Sequence, residues 1–284
     1  MGYAITVMNA KGGVGKSTLV LALAETLATH HRRRVLVVDS DAHASVSNML
    51  MSLTRLAALQ DQGRTIVDYF AALVLKGVSA NLGHYIVAGV SDVDDARTVD
   101  LLPGGGHLTL FEREVSAGHL EPSLRRAVRL FLTEVTSSYD IVLIDSAPGL
   151  SVLTECWLRE ANFYLAPTKP DYISTRGLQF LGQFRQRDLD MGFAQFLGVI
   201  INMADPHSRI DDQFEHWLRQ HRGNRCFEQL IRRTTALQAA AHFYPRPRSY
   251  WAKYPGDTGK DLRQLTVELL ARLSSVPQGL QAGR

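Results

Sequence analysis

A run of residues near the start of the chain combines glycine, lysine and hydroxyl side chains in a spacing suited to phosphate. Residues 10–18 read Ala-Lys-Gly-Gly-Val-Gly-Lys-Ser-Thr, between a short apolar stretch and an amphipathic one. Glycines let consecutive backbone N–H groups turn towards phosphate oxygens, and the first turn of a helix adds partial positive charge. We therefore predict a phosphate-binding loop that opens a helix. Ala10 stands where the simplest form of this pattern has glycine.

Each side chain of this loop has its own expected role. Lys16 supplies a mobile cation for the β- and γ-phosphates, and the Ser17 hydroxyl is a direct ligand for Mg²⁺. Thr18 is expected to contact the α-phosphate. The residues of the loop that are predicted to bind nucleotide are Lys11, Gly12, Gly13, Val14, Gly15, Lys16, Ser17 and Thr18.

Three carboxylates follow hydrophobic runs further along the chain. Asp39 and Asp41 end the run that begins at Val35, and Asp145 ends the run that begins at Ile141. The carboxyl ends of parallel strands share one edge of a sheet, so these acids are expected to face the bound phosphates. Asp39 and Asp145 are predicted to act on Mg²⁺ through its water ligands.

Short apolar runs alternate with longer amphipathic stretches, and this alternation predicts an α/β fold. Continuous apolar runs are typical of parallel strands that are covered on both faces. The predicted fold class is therefore a doubly wound, mostly parallel sheet with helices on both faces. Strands are predicted at 3–8, 35–38, 99–102, 141–144, 163–166 and 196–201, and helices at 16–29, 120–136, 175–186, 211–222 and 259–273.

Composition excludes several classes of protein. The 284 residues are 45% hydrophobic and 21% charged, which is typical of a globular chain rather than a disordered or fibrous one. Two cysteines, Cys156 and Cys226, are too few for a disulfide scaffold and favour a reducing cytoplasm. No apolar run is long enough to span a membrane. We predict one domain over residues 1–276, with a variable insertion of short helices and loops at 49–98 and a tail at 277–284.

The positive charge of the chain is small but unevenly distributed. The net charge is +3, which does not by itself indicate nucleic-acid binding. Residues 176–248 hold 11 arginines against 7 acids, a local excess of 11 − 7 = +4. Such a run is most often a solvated face, so binding needs further support. The arginines closest together are Arg219, Arg222, Arg225, Arg232 and Arg233.

These motifs together resemble those of one family. The loop at 11–18, with its additional Lys11, resembles the deviant Walker A motif of the ParA/MinD family, in the SIMIBI branch of P-loop NTPases. Asp-Ser-Asp at 39–41 resembles its D-x-D segment, and residues 141–149 its Walker B strand. The resemblance covers nearly the whole chain and is weakest at 49–98. Many relatives have Pro-Gln-Gly-Asn where this chain has Ala-His-Ala-Ser at 42–45, and Ala147 replaces a usual proline.

The resemblance implies an ATPase that uses ATP and Mg²⁺ and forms a homodimer when ATP binds. In the family, the residue at the position of Asp41 orients the attacking water. The residue at the position of Lys11 reaches across a face-to-face dimer to the partner's phosphates. Lys11, Lys16 and Asp41 are therefore the predicted catalytic residues. Base recognition is assigned to Asn202 and to the backbone near Ile231 and Arg232.

Three functions remain open. The first is a ParA-type positioning ATPase without an N-terminal helix-turn-helix domain, because the loop already begins at residue 11. Its ATP-bound dimer would bind DNA without sequence preference on the bacterial nucleoid and position a plasmid, a chromosome region or a protein assembly. A ParB-like or cargo-adaptor protein would stimulate its slow hydrolysis. The predicted DNA contacts are Arg219, Arg222, Arg225 and Arg233.

The other two functions belong to the same fold. A MinD-like membrane-cycling ATPase needs a terminal amphipathic helix with a basic face. The amphipathic stretch at 261–273 instead has two acids, Asp261 and Glu268, on its polar face. An ATP-dependent ligase needs substrate residues, and none can be identified in the sequence. His43 and His207 lie near the predicted site but have no cluster of metal ligands around them, so both are expected at the surface.

Overall fold

A sheet of seven strands forms the centre of the computed structural model, which describes residues 2–187 and 192–275. The strands are β1 (Tyr3–Val7), β2 (Val35–Ser40), β3 (Val99–Leu102), β4 (Ile141–Ser146), β5 (Phe163–Thr168), β6 (Gln195–Ala204) and β7 (Ile231–Arg232). Their order is β3-β2-β4-β1-β5-β6-β7, and every pairing between neighbours is parallel. The predicted doubly wound α/β class is confirmed.

Helices connect successive strands and cover the sheet. They are α1 (Lys16–His31), α2 (Ser45–Leu50), α3 (Leu53–Asp61), α4 (Ile66–Val74), α5 (Leu108–Ala117), α6 (Glu121–Ser138), α7 (Val152–Glu160), α8 (Tyr172–Arg187), α9 (Arg209–Gln220), α10 (Thr235–Ala240), α11 (Tyr250–Lys253) and α12 (Asp257–Ser274). The six predicted strands and five predicted helices all form. The short strand β7 and helices α2, α5, α7, α10 and α11 were not predicted.

Alternate residues of the central strands enter two separate hydrophobic cores. Ile5 and Val7 of β1 pack with α1 and α12 on one face of the sheet. Ala4, one residue away, packs with α6 and α7 on the other face. Both faces are covered, so β2 and β4 are buried along their whole length, which explains their unbroken apolar sequences.

The segment 49–98 contains the short helices and loops that its sequence predicts, and it contributes to both cores. Leu56 of α3 packs on the α1 side of the sheet, and Phe70 of α4 on the other side. Thr65 caps α4, because its hydroxyl accepts from the backbone N–H of Asp68 while the Asp68 carboxylate accepts from the Thr65 N–H. The segment is thus built into the fold rather than appended to it.

A buried ionic cluster, formed by Glu25, Asp92, Arg248, Lys253 and Tyr254, ties this segment to α1 and to the C-terminal part of the chain. The Lys253 ammonium is fully buried and bridges the carboxylates of Glu25, at 2.8 Å, and Asp92. Arg248 pairs with Asp92 at 3.1 Å, and the Tyr254 hydroxyl donates to Glu25 at 2.6 Å. Opposite charges satisfy one another here, as burial requires.

Two further features bear on the predictions from sequence. Among the described residues, no helix combines the length and the apolar character needed to cross a membrane. Cys156 is buried and Cys226 is half-buried, and both thiols are free. The predicted tail at 277–284 lies outside the described residues.

Candidate functional site

The loop between β1 and α1 has the geometry of a phosphate cradle. Gly13 and Gly15 adopt positive φ angles of 75° and 83°. A side chain at Gly15 would strain this backbone conformation, and its Cβ would lie 2.5 Å from Nδ2 of Asn202, which would have to move. Lys16 then begins α1 and is buried, whereas Lys11, Gly12 and Gly13 are exposed. The open face of the loop is therefore backbone, as phosphate binding requires.

Side chains from neighbouring strands hold the loop in this shape. The Asn9 amide donates to the Pro167 carbonyl of β5 at 2.8 Å, and its Oδ1 accepts from the Lys11 backbone N–H at 2.9 Å. Asn202 at the end of β6 donates to the Val14 carbonyl at 2.8 Å. The bracing role of Asn9 was not predicted, although a polar residue directly after a buried strand was a visible sign of it.

Asp39 and Asp145 lie side by side at the carboxyl ends of β2 and β4, in register with each other. Asp39 accepts two hydrogen bonds from Ser47 of α2, from its hydroxyl at 2.6 Å and from its backbone N–H at 2.8 Å. Burial raises the pKa of Asp39 to about 6, against the opposing effect of these hydrogen bonds. Ser47 was not predicted, because its partner lies on a different element.

Asp145 is the acid with the strongest need for a cation. It is completely buried, and neither carboxylate oxygen has a hydrogen-bond partner among residues 2–187 and 192–275. Burial first, and then repulsion by Asp39, raise the pKa of Asp145 well above its usual range. The nearby Ser17 hydroxyl favours the charged form but lies outside hydrogen-bond geometry. Oxygen donors in this arrangement fit a hydrated Mg²⁺ ion held by Ser17 and by Asp145 and Asp39 through water.

Lys16 and Asp41 face each other across the same site. Burial lowers the pKa of the Lys16 ammonium, and the carboxylates of Asp145 and then Asp41 oppose that shift. Asp41 is 8% exposed, so it can meet solvent while Asp145 cannot. The structure brings together the loop lysine and the three predicted acids, and places Asp41 at the outer end of the group.

A cavity of about 460 Å³ opens beside the loop and reaches β7. Met203, Arg232 and Arg233 line it together with Gly13 and Thr18 of the loop. Ile231, the residue before Arg232, is buried and does not line the cavity. Asn202 does not line it either, because its side chain donates to the Val14 carbonyl of the loop. The cavity is the right size for a nucleoside, and contact of Asn202 with the base stays a prediction.

The five clustered arginines do not have equivalent surroundings. The Arg219 guanidinium donates to Glu215 and to the carbonyls of Phe227 and Glu228, at 2.9–3.0 Å. Arg232 pairs with Asp261 at 2.7 Å. Arg225 donates to the Phe196 carbonyl at 3.0 Å. Arg222 and Arg233 lie, like Arg225, on the short segment between α9 and α10. The count of arginines therefore overstates the positive charge that this face offers to a partner.

Comparisons with known proteins agree with this site. A family model described as an AAA domain matches residues 2–188, and the chain belongs to this family. A ParA family protein of Chlamydia pneumoniae is 29% identical over 277 residues, covering 96% of this chain and 99% of the relative. The chromosome-partitioning ATPase Soj of Thermus thermophilus is 28% identical over 276 residues, covering 95% and 96%. The chain is a P-loop ATPase of the ParA/MinD type, as its motifs predicted.

Solved structures show the same fold. A cobyrinic acid a,c-diamide synthase from Mycobacterium smegmatis, with bound ATP analogue and magnesium, superposes with a TM-score of 0.71 at 22% identity and covers 97% of each chain. At this identity the likeness concerns the fold alone. That structure was solved with an ATP analogue and magnesium, and ATP and Mg²⁺ are the ligands predicted here from the sequence.

Proposed function

We propose that this protein is a ParA-type positioning ATPase whose ATP-bound homodimer binds DNA without sequence preference. The observation that carries the proposal is the contrast between two lysines of one loop. Lys16 is buried against Asp145 and Asp41, where it serves its own nucleotide, while Lys11 is exposed on the outer face. Within residues 2–187 and 192–275 the Lys11 ammonium forms no ion pair, and a second lysine in this position suits the nucleotide of a second copy.

Hydrolysis in this site depends on position and charge. Lys16 and the loop N–H groups hold the phosphates, and Mg²⁺ would neutralise charge that develops on them. Asp41 orients a water at the open end of the site. The water oxygen adds to the γ-phosphorus as the bond to the bridging oxygen of ADP breaks, and the water's proton ends on the released phosphate. Asp41→Ala is therefore expected to bind ATP and dimerise without turnover.

Exposed apolar residues beside the loop support dimerisation across this face. Tyr172 and Ile173 begin α8 and are 61% and 62% exposed. The same helix packs against the loop through Gly177, where a Cβ would lie 3.3 Å from the Lys11 nitrogen. Burying these side chains against a second copy would stabilise the dimer that Lys11 completes. Light scattering with ATP and Asp41→Ala protein would report it directly.

Binding to DNA is assigned to the arginines on the segment between α9 and α10. Non-specific affinity comes from neutralising phosphates, so it needs basic side chains rather than base-reading motifs. The test is co-sedimentation with duplex DNA across a salt series, comparing Arg222→Ala/Arg225→Ala with Arg55→Ala/Arg113→Ala. The control pair consists of exposed arginines on α3 and α5. The slope of log affinity against log salt should become shallower by about 0.9 for each lost phosphate contact.

The alternatives give different outcomes in the same assay. ATP-bound protein that ignores DNA at low salt and pellets with anionic liposomes would identify a MinD-like membrane-cycling ATPase. Against that outcome, Leu262, Leu265, Leu269 and Leu273 of α12 are buried in the core that contains α1. Val267 is the large apolar residue of this helix that is exposed, at 50%. Hydrolysis that requires a small-molecule acceptor would identify a ligase-type enzyme. We further propose a cytoplasmic, nucleoid-associated location and a ParB-like or cargo-adaptor partner, which stimulation of phosphate release by that partner would test.

A further inference from the structure

The loop that follows Asp41 contains a side chain that the ATPase motifs do not account for. His43 follows Asp41 by two residues, and its ring Nδ1 lies 2.9 Å from Oδ1 of Asp41. The His43 backbone N–H donates to the same oxygen, also at 2.9 Å. One carboxylate oxygen of Asp41 therefore has two partners from a single residue, while no bond from His43 reaches its Oδ2.

The backbone fixes the position of His43. The Ala44 N–H donates to the Asp41 carbonyl at 2.9 Å and closes a tight turn around His43. Ala44 itself has a left-handed backbone conformation, with φ of 49°, and is the residue directly before α2. The Asn48 amide of α2 donates to the His43 carbonyl at 3.4 Å. Because α2 also supplies Ser47 to Asp39, the turn is anchored to the same strand end as the predicted magnesium site.

The surroundings of the ring define its chemistry. The His43 side chain is 85% exposed, so its outer nitrogen reaches solvent. The charged group that it meets is Asp41, and behind Asp41 lie Lys16, Asp39 and Asp145, each of which interacts with the Asp41 charge. When Nδ1 carries the hydrogen, the ring donates to Asp41 and stays neutral.

We propose that His43 is a positioning residue for ATP hydrolysis, which orients Asp41 through Oδ1 so that Oδ2 faces the attacking water. The inference rests on the proposed role of Asp41 and deepens it. A carboxylate held by two donors presents its second oxygen in one direction, which lowers the entropy cost of ordering the water.

The test compares His43→Ala with His43→Asn in single-turnover and steady-state hydrolysis of ATP·Mg²⁺ by the full chain. Asparagine places an amide donor close to the position of Nδ1. Loss of one such hydrogen bond should lower kcat about three- to tenfold in His43→Ala, with the affinity for ATP unchanged. His43→Asn should keep kcat within about twofold of wild type.

Asp41→Ala, measured in parallel, separates the two hypotheses. If Asp41→Ala abolishes turnover while His43→Ala matches wild type in kcat, the inference about His43 is overturned and the ATPase assignment stands. Loss of ATP affinity in His43→Ala would also overturn it, since His43 would then only support the loop. If Asp41→Ala turns over normally, the proposed role of Asp41 itself is wrong.

Discussion

Replacement of the buried loop lysine should prevent ATP binding and, with it, every step that depends on bound ATP. Lys16 is 7% exposed, and its ammonium interacts with the charges of Asp145 and Asp41. Lys16→Ala takes a cation from the phosphates and also leaves two carboxylates facing them without compensation. Truncating one member of a buried charge pair costs about 2–5 kcal/mol, which corresponds to a loss of ATP affinity of roughly thirty- to five-thousand-fold.

The matched control is Lys11→Ala, five residues earlier in the same loop. Its side chain is exposed, so the variant should bind ATP within about threefold of wild type as a monomer and fail to dimerise. Calorimetric titration of both variants with ATP·Mg²⁺ measures the affinities, and thermal melting without nucleotide checks that both remain folded. Binding by Lys16→Ala within tenfold of wild type would refute the assignment of the phosphate site.

Three further outcomes follow from buried or paired charges. Lys253→Met should lower the free energy of unfolding in urea by about 3–5 kcal/mol, because it leaves Glu25 without its cation; a loss below 1 kcal/mol would contradict the ionic cluster. Arg219→Ala should lower the same quantity by about 1–3 kcal/mol through its lost hydrogen bonds, and unchanged stability would show that Arg219 is free for DNA. Asp39 has a folded pKa of about 6 against an ordinary 3.8, so its contribution to stability is present below pH 4 and is lost as the pH rises through 6. The melting temperature of nucleotide-free protein should therefore fall less between pH 5 and 8 in Asp39→Asn than in wild type.

Features with a repeating pattern could be predicted from the sequence. Strands β2 and β4 are continuous apolar runs that end in acids, so both their type and the position of Asp39 and Asp145 were readable. Strand β7 spans two residues and pairs only with the end of β6, which is too short for any period to show. Its position depends on tertiary contacts rather than on its own residues.

Partners between distant segments could not be predicted. Ser47 bonds to Asp39 and also accepts from the backbone N–H of Gly104, a contact that exists only once three segments have folded together. In the same way, the sequence shows that Arg219 is charged. It does not show that its guanidinium donates hydrogen bonds to the carbonyls of Phe227 and Glu228. A motif identifies the groups that touch phosphate, whereas the groups that hold them in place come from the fold.

The ionic cluster constrains how this chain can exchange parts with its relatives. Asp92 belongs to the segment 49–98, Glu25 to the helix that begins at the phosphate loop, and Lys253 and Arg248 to the C-terminal part. A chimaera that receives a relative's 49–98 segment without an acid at position 92 would bury two cations against a single carboxylate. Grafting that segment therefore requires Arg248 to be replaced at the same time. The choice of where to join two relatives thus depends on the balance of buried charges as well as on the positions of the loops.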